Sequence, residues 1–243
     1  RGIGASIAQA LVGQGAAVTL MGRNAATLED EAARLGPLGQ VKWQSVDLAD
    51  AESAKAAFAA AAKDLGPVTI LINNAGIAPI ERKDLLDLDE ETFDRVLSVN
   101  LRGPVFLARR VAREMIWLKD QVKDYRPSIM FVTSFLAYTS FTNGVDVCIS
   151  KAGLSMAALV FADRLSEEGI NVYEIRPGLI KTELTSRSKY KFDRLITEGL
   201  IPQKRWGTPE DVAKAVASLA RGDWAFSAGT IFEVSGGMNI QSI

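Results

Sequence analysis

Short apolar runs alternate along this chain with longer stretches in which apolar residues recur with the period of a helix. The runs at 17–21, 41–46, 68–72, 129–132 and 170–175 are rich in apolar and β-branched residues, which predicts strands. Strands that alternate with helices and are apolar on both faces indicate an α/β fold with a parallel sheet covered on both sides. The predicted helices cover 25–35, 51–65, 92–100, 147–167 and 208–220, and a last strand covers 231–234. Residues 101–104 either bend the helix at 92–100 or begin another helix that runs to about 123.

The chain opens with a glycine-rich turn. Arg1-Gly2-Ile3-Gly4 leads into a helical apolar pattern that starts at Ile7. A turn of this kind binds a dinucleotide phosphate only when a parallel strand delivers the chain to it. We therefore expect Gly2, Ile3 and Gly4 to be the second half of a dinucleotide-binding turn, with the preceding strand absent from this sequence. A plain helix start is the alternative.

Length and composition predict one domain. The chain has 243 residues, of which 48% are hydrophobic and 23% charged, and its prolines and glycines are spread out, so no linker is visible. The predicted domain covers 1–243. The segment 181–202 is polar, basic and aromatic, without the apolar run of a sheet strand, and we expect it to be a mobile insertion that shapes a substrate pocket.

Charge and hydropathy restrict the partners. The formal net charge is −1 with both signs interspersed, which argues against nucleic acid as a partner. No apolar run reaches the roughly 18 residues of a membrane span, and no basic start with an apolar segment suggests export. We expect a cytoplasmic protein that does not enter a membrane.

The counts of cysteine and histidine exclude several chemistries. Cys148 is the only cysteine and the chain has no histidine. An intrachain disulfide, a multi-cysteine or histidine metal site and Ser-His-Asp catalysis are therefore excluded. We expect no metal site.

Polar residues stand at the carboxyl ends of five predicted strands. Open parallel sheets bind their ligands at this edge, so the coincidence favours a dinucleotide site over a scatter of surface residues. These residues are Arg23, Asp47, Asn73, Ser134 and Pro177-Gly178.

The residue that follows the strand 17–21 indicates which dinucleotide binds. An acidic side chain there would accept hydrogen bonds from the adenosine ribose and repel a 2′-phosphate, whereas Gly22-Arg23 offers space and a guanidinium. This pattern favours NADP(H) over NAD(H), and Arg1 would add a second cation. The alternative is that both arginines are solvated surface residues.

The strand that ends at Ser134 and the helix that carries Lys151 resemble the catalytic core of the short-chain dehydrogenase/reductase family. In that family a serine follows this strand, and a Tyr-x-x-x-Lys motif begins thirteen residues later. Counting thirteen on from Ser134, or four back from Lys151, leads to Val147. The string Asn-Asn-Ala-Gly at 73–76 is the most specific further match. The segments 176–178, 205–211 and 236–237 look most like 3-oxoacyl-carrier-protein reductases and polyol and sugar dehydrogenases.

The resemblance implies a Rossmann-like, doubly wound parallel sheet of about seven strands, of which the first is absent here. It implies an NADP(H)-dependent oxidoreductase that interconverts a ketone and a secondary alcohol. In such a site Ser134 polarises the carbonyl, Lys151 bonds the nicotinamide ribose, and Asn100 holds a water. The resemblance assigns cofactor contacts to Gly2, Ile3, Gly4, Asp47, Leu48, Asn74, Ala75, Gly76, Pro177, Gly178, Ile180 and Thr182, with Arg1, Arg23 and Lys151.

Val147 is the departure from this family. A positioned acid typically contributes about 10²- to 10⁴-fold in rate, roughly 3 to 5 kcal/mol of barrier, and valine has no proton to give. Tyr138, or a water near Ser134 and Lys151, are the available substitutes. The valine is interpreted as a substitution made to trap a complex, as a natural loss, or as part of an unusual active enzyme. A catalytically inactive nucleotide-binding scaffold is the alternative function.

The resemblance also implies a homotetramer, or a dimer, in which the helices at about 104–123 and 148–167 pair. Packing within one chain would explain many of the same apolar residues. The residues consistent with subunit pairing are Val105, Phe106, Val111, Met156, Leu159 and Val160.

Overall fold

The computed structural model describes residues 1–186 and 189–241. The helices are α1 (Gly2–Gly13), α2 (Ala25–Leu35), α3 (Ala51–Leu65), α4 (Glu90–Leu97), α5 (Gly103–Leu118), α6 (Val145–Ser166), α7 (Glu183–Ser186), α8 (Lys189–Thr197) and α9 (Pro209–Ala220). The strands are β1 (Val18–Gly22), β2 (Val41–Ser45), β3 (Ile70–Asn73), β4 (Ser128–Val132), β5 (Asn171–Pro177) and β6 (Ile231–Val234).

All six strands of the described residues pair in parallel. β1 pairs with β2, and β3, β4, β5 and β6 form a four-stranded sheet in that order. Every predicted strand is present within two residues of its predicted ends. The parallel α/β fold is therefore confirmed. Within the described residues β1 and β3 do not pair, and a strand ahead of Arg1 remains a prediction.

Alternate residues of β4 enter two separate hydrophobic cores. Ile129 and Phe131 pack with α5 and α6, whereas Met130 and Val132 pack with α1 and α9. All four side chains are buried. Successive side chains of a strand point to opposite faces, so helices cover the sheet on both sides. This arrangement is the predicted doubly wound architecture.

Capping side chains fix the starts of two helices. The Asn24 Oδ1 atom accepts a hydrogen bond from the Thr27 N–H at 2.9 Å, as predicted for α2. At α9, Thr208 and Asp211 cap each other's backbone N–H groups around Pro209. Because each cap typically contributes about 1 kcal/mol, both helices begin where the sequence predicts them.

The connection between α4 and α5 differs from the prediction. Residues 98–102 form a π turn, and α5 begins at Gly103 and ends at Leu118 rather than near Lys123. The apolar periodicity stops at Leu118, because residues 119–121 are polar and exposed. At the start of α5, a Cβ on Gly103 would lie 2.4 Å from the Leu48 carbonyl oxygen, so this close approach requires glycine.

The predicted insertion at 181–202 contains α7 and α8 rather than loop alone. Ile196 and Ile201 are buried and pack with Leu179 in a third, smaller core. The many charges of this segment obscured its helical apolar residues. Residues 187 and 188 lie outside the described residues, and the mobility of the segment remains a prediction.

α6 is apolar on both faces. Together with the turn before it, α6 covers 142–166 and is long and apolar enough, by length and composition alone, to cross a membrane. The prediction that no apolar segment reaches that length is therefore wrong. One face packs Leu154 and Ala158 into the core, and the other exposes Met156 and Val160. A core helix with an exposed apolar face has the same composition as a span.

The residues predicted to pair subunits fall into two groups. Phe106, Met156, Leu159 and Val160 are exposed by 45–59%, which is compatible with an interface. Val111 is fully buried in the core of its own chain, so its assignment to a subunit contact is wrong. Val105 is half-buried.

Candidate active site

The candidate site lies at the carboxyl ends of β3, β4 and β5, beside the first turns of α6. The Lys151 Nζ atom donates a hydrogen bond to the Val132 carbonyl oxygen at 2.9 Å, and this side chain is buried. A Cβ on Gly76, in the turn after β3, would lie 3.6 Å from the same Nζ atom. The structure thus brings the predicted lysine and the predicted glycine turn together.

The environment of Lys151 changes its acidity. Burial lowers the pKa of its ammonium group from 10.5 to about 8, and the negative charge of Glu174 opposes this change. The group is therefore mostly protonated at neutral pH. Among the described residues only the Val132 carbonyl accepts from it, which leaves further N–H donors for ligand hydroxyls.

Ser134 follows β4, and Val147 precedes Lys151 on α6; the roles assigned to them remain predictions. The Ser134 Oγ atom accepts a hydrogen bond from the Leu136 N–H at 3.2 Å, so its own proton remains available to a ligand oxygen. Val147 lies in the first turn of α6, buried, one turn ahead of Lys151. Residues four apart share a helix face, so a hydrocarbon stands beside the lysine where an acid was expected.

Asn100, in the π turn, is fully buried and completely engaged by its neighbours. Its Oδ1 atom accepts from the Ile77 N–H at 2.7 Å, and its Nδ2 atom donates to the Ile77 carbonyl at 2.9 Å and to the Ser150 Oγ at 3.2 Å. The residue ties the turn after β3 to α6. Its expected role in holding a water remains a prediction.

The predicted glycine-rich turn forms the first turn of α1, and it contacts two of the other predicted cofactor segments. A Cβ on Gly4 would lie 2.8 Å from the Asn74 Nδ2 atom, and one on Gly2 would lie 3.7 Å from the Thr182 Cγ2 atom. Gly2 also has a positive φ of 59°. Among the described residues no side chain caps α1, so its first N–H groups are free to bind a phosphate. These residues fit a dinucleotide.

The remaining residues predicted to contact the cofactor differ in their exposure to solvent. Ala75 is exposed at the sheet edge, whereas Pro177 is buried and Ile3 half-buried. Gly178 lies close to Ser235, since a Cβ there would be 2.8 Å from the Ser235 Cα atom. Ile180 is buried in the core beside α1 and α9, so only its backbone is available to a cofactor.

Arg23 and Asp47 follow β1 and β2 at the exposed end of the site. Arg23 is exposed, with its carbonyl accepting from the Ser45 hydroxyl at 3.1 Å. The Asp47 carboxylate accepts from the Ala49 N–H at 3.0 Å and pairs with Arg95 at 3.0 Å. The Ala49 hydrogen bond, and then Arg95, lower the pKa of Asp47.

Arg1 has a partner that the sequence did not predict. Its guanidinium forms an exposed ion pair with Glu183 of α7 at 2.5 Å. The pair joins the start of α1 to α7. A role for Arg1 toward a phosphate would require this exposed pair to open.

The sequence did not single out a buried polar cluster beside Lys151. It consists of Thr133, Ser155, Glu174, Arg176 and Glu233. Its signal was present in β5, where a glutamate and an arginine two residues apart interrupt apolar positions. Tyr138 stacks on this cluster, with its ring centroid 4.9 Å from the Arg176 guanidinium carbon. That position directs the ring at Arg176, which disfavours it as a substitute acid.

Two cavities border the site. One of about 260 Å³ lies between α6, the middle of β5 and the start of β6, lined by Ser155, Met156 and Glu174 among others. The other, of about 330 Å³, is lined by Trp206 and residues 181–186 without 184. The second cavity adjoins Thr182, so the predicted insertion borders the candidate cofactor site.

The family model described as enoyl-(acyl carrier protein) reductase matches residues 1–239. The chain is 31% identical to the 3-oxoacyl-[acyl-carrier-protein] reductase MabA of Mycobacterium bovis, over 99% of this chain and 90% of that protein. A crystal structure of a Brucella melitensis 3-oxoacyl-[acyl-carrier protein] reductase in complex with NAD has a TM-score of 0.95 at 37% identity, covering 100% of this chain and 95% of the other.

A structure of a proposed 2-deoxy-D-gluconate 3-dehydrogenase from Agrobacterium tumefaciens with bound NADP has a TM-score of 0.84 at 29% identity. It covers 99% of this chain and 93% of the other. The two structures hold different nicotinamide dinucleotides, so they support such a cofactor without selecting one. By sequence and by fold, the chain belongs to the short-chain dehydrogenase/reductase family and is similar to its 3-oxoacyl-acyl-carrier-protein reductases.

Proposed function

We propose that this chain binds NADP(H) and interconverts a ketone and a secondary alcohol, with a rate reduced by Val147. The observation that carries the proposal is the hydrogen bond from the Lys151 ammonium to the carbonyl of Val132, which lies two residues before Ser134. Val147 lies one turn before Lys151 on the same helix. The substrate class is that of a 3-oxoacyl carrier reductase or of a polyol or sugar dehydrogenase.

Each polar side chain has a defined task in this reaction. The cofactor, when bound, supplies or accepts the hydride. Ser134 has a free hydroxyl proton to donate to the substrate oxygen. Lys151 is charged at neutral pH and has N–H groups for the ribose hydroxyls. Asn100 fixes the turn after β3 against α6.

Val147 leaves the reaction without its positioned proton donor. Hydride delivery to a ketone produces an alkoxide, and a positioned acid normally stabilises it by about 10²- to 10⁴-fold in rate. A water reaching Ser134 and Lys151 would be a weaker donor. We therefore expect slow turnover, and the cofactor to bind normally.

The test compares this chain with Val147→Tyr and Val147→Phe in an NADPH absorbance assay against a panel of ketones. The two variants differ by one hydroxyl group, so Phe controls for the size of the ring. We expect Val147→Tyr to raise the rate by about 10²-fold or more, and Val147→Phe to leave it low. Equal rates in both variants would contradict the proposal.

The second candidate is a nucleotide-binding scaffold without catalysis, which Val147 itself favours. It predicts NADPH binding in calorimetry and no ketone reduction in this chain or in Val147→Tyr. Cofactor choice is measured in the same titrations. The exposed Arg23 predicts tighter binding of NADPH than NADH, and Arg23→Asp should reverse that order.

We propose further that the protein is cytoplasmic and forms a homotetramer, or a dimer. The exposed apolar residues of α5 and α6, Phe106, Met156, Leu159 and Val160, support subunit pairing. Sedimentation of this chain and of Met156→Glu, which places a charge in that face, tests it. A single species of monomer mass in both samples would contradict it.

A further inference from the structure

Glu174 lies at the centre of the buried polar cluster defined above. The Thr133 hydroxyl and the Arg176 Nε donate to its Oε1 atom, and the Ser155 hydroxyl donates to its Oε2 atom at 2.7 Å. Its side chain is only 3% exposed. A buried carboxylate is costly unless it is paired and hydrogen-bonded, and here both oxygens are satisfied.

The hydroxyl partners of Glu174 belong to the two elements that Lys151 joins. Lys151 reaches from α6 to the carbonyl of Val132 in β4. Thr133 follows Val132 directly and precedes Ser134, and Ser155 lies one turn beyond Lys151 on the same helix face. The carboxylate therefore bridges β4 and α6 a second time, next to the lysine contact.

Arg176 binds three other members of the cluster. The Arg176 guanidinium donates to Glu174 at 2.9 Å, to the Ser155 hydroxyl at 3.0 Å and to Glu233 at 3.2 Å. Its planar group binds several acceptors at once, so it orients the carboxylate as well as balancing its charge.

The elements packed around Lys151 differ in the charges they contribute. β4, the turn after β3 and the π turn approach it with uncharged groups, at Val132, Gly76 and Asn100. β5 contributes Glu174 and Arg176, and α6, the helix that carries Lys151, contributes Asp146. Of these, Glu174 raises the pKa of Lys151 against the effect of burial.

We propose that Glu174 is a positioning residue for Lys151. Its carboxylate keeps the buried lysine protonated, and its two hydroxyl partners hold α6 against the end of β4. The inference rests on the proposed function only for what the lysine's charge does, which is to bind the ribose hydroxyls of the cofactor. The charge of Lys151 itself does not depend on a bound cofactor.

The test measures the titration of Lys151 by NMR, in protein labelled with ¹³C at the lysine Cε atoms and without cofactor. Lys151→Met identifies the resonance. We expect Glu174→Gln to move the titration midpoint of this lysine to lower pH by about one pH unit, because the opposite charge is removed. An unchanged midpoint would overturn the proposal.

Glu233→Gln is the matched control. Glu233 also pairs with Arg176, but within the described residues it makes no hydrogen bond to Thr133 or Ser155. A general loosening of the cluster would shift the Lys151 midpoint in both variants, so an equal shift in Glu233→Gln also overturns the proposal. If Glu174→Gln does not fold, Glu174→Asp replaces it. The expected shift then has the same direction and a smaller size, and no shift again overturns the proposal.

Neither titration of Lys151 requires turnover, so its outcome is independent of the proposed function. A chain that fails to reduce ketones with Val147→Tyr can still show the Glu174 effect on Lys151. Conversely, an active Val147→Tyr enzyme with an unshifted Lys151 in Glu174→Gln would reject only this inference.

Discussion

The two ends of the candidate site are built differently. At the Lys151 end the lysine is buried and its ammonium donates to the Val132 carbonyl. At the Arg23 end the cations are exposed and Asp47 shares its charge with Arg95 near solvent. The same types of residue therefore have large effects at one end and small effects at the other, because water screens charges only where it reaches them.

The titration of Lys151 gives the largest expected effect on stability. Its folded pKa of about 8 is below its unfolded value near 10.5, so the unfolded chain holds the proton more tightly between these values. The free energy of unfolding should therefore rise with pH from about 8 to 10.5, by up to about 3 kcal/mol from this group. Urea unfolding of this chain against Lys151→Met isolates the contribution.

If the difference in the free energy of unfolding between this chain and Lys151→Met stays constant over that pH range, burial does not lower the pKa of Lys151. The buried end of the site would then resemble the exposed end. Comparison with Lys151→Met is necessary because other groups also titrate in this range.

The close approach at Gly103 predicts the next effect. A Cβ there would lie 2.4 Å from the Leu48 carbonyl oxygen, so Gly103→Ala forces backbone apart and should cost about 1–3 kcal/mol of stability. Gly13→Ala is the matched control, because nothing lies within 4 Å of its Cβ position. Equal midpoints of urea unfolding for the two variants would contradict the close packing.

The Asp47–Arg95 pair predicts the smallest effect. Both side chains are more than a third exposed, so Arg95→Ala should cost less than about 1 kcal/mol at neutral pH. The Ala49 hydrogen bond, and to a smaller extent Arg95, lower the folded pKa of Asp47. Ionised Asp47 therefore stabilises the fold above its usual pKa of 3.8, and this effect, including the part due to Arg95, is lost as the pH falls through the folded pKa. Unfolding of Arg95→Ala over this acid range measures both. A larger loss, or one that grows in acid, would show that this end is shielded from water.

Much of the fold could be predicted from local pattern. β6 and α2 have their predicted ends, and Asn24 caps α2 as expected. The prediction failed where tertiary contacts override local preference. The π turn at 98–102 places Asn100 on Ile77 and Ser150, which are distant in sequence, and α8 packs its few apolar residues into a small separate core.

The sequence by itself determined the parallel α/β fold, the polar residues at the strand ends and the valine between Ser134 and Lys151. These follow from periodicity and spacing, which are properties of neighbouring residues. Only the tertiary structure decided which side chains surround Lys151, that Glu174 bridges two elements beside it, and that Arg1 pairs with Glu183. The physical reason is that burial and charge depend on residues far apart in the chain, and no local pattern records which of them meet.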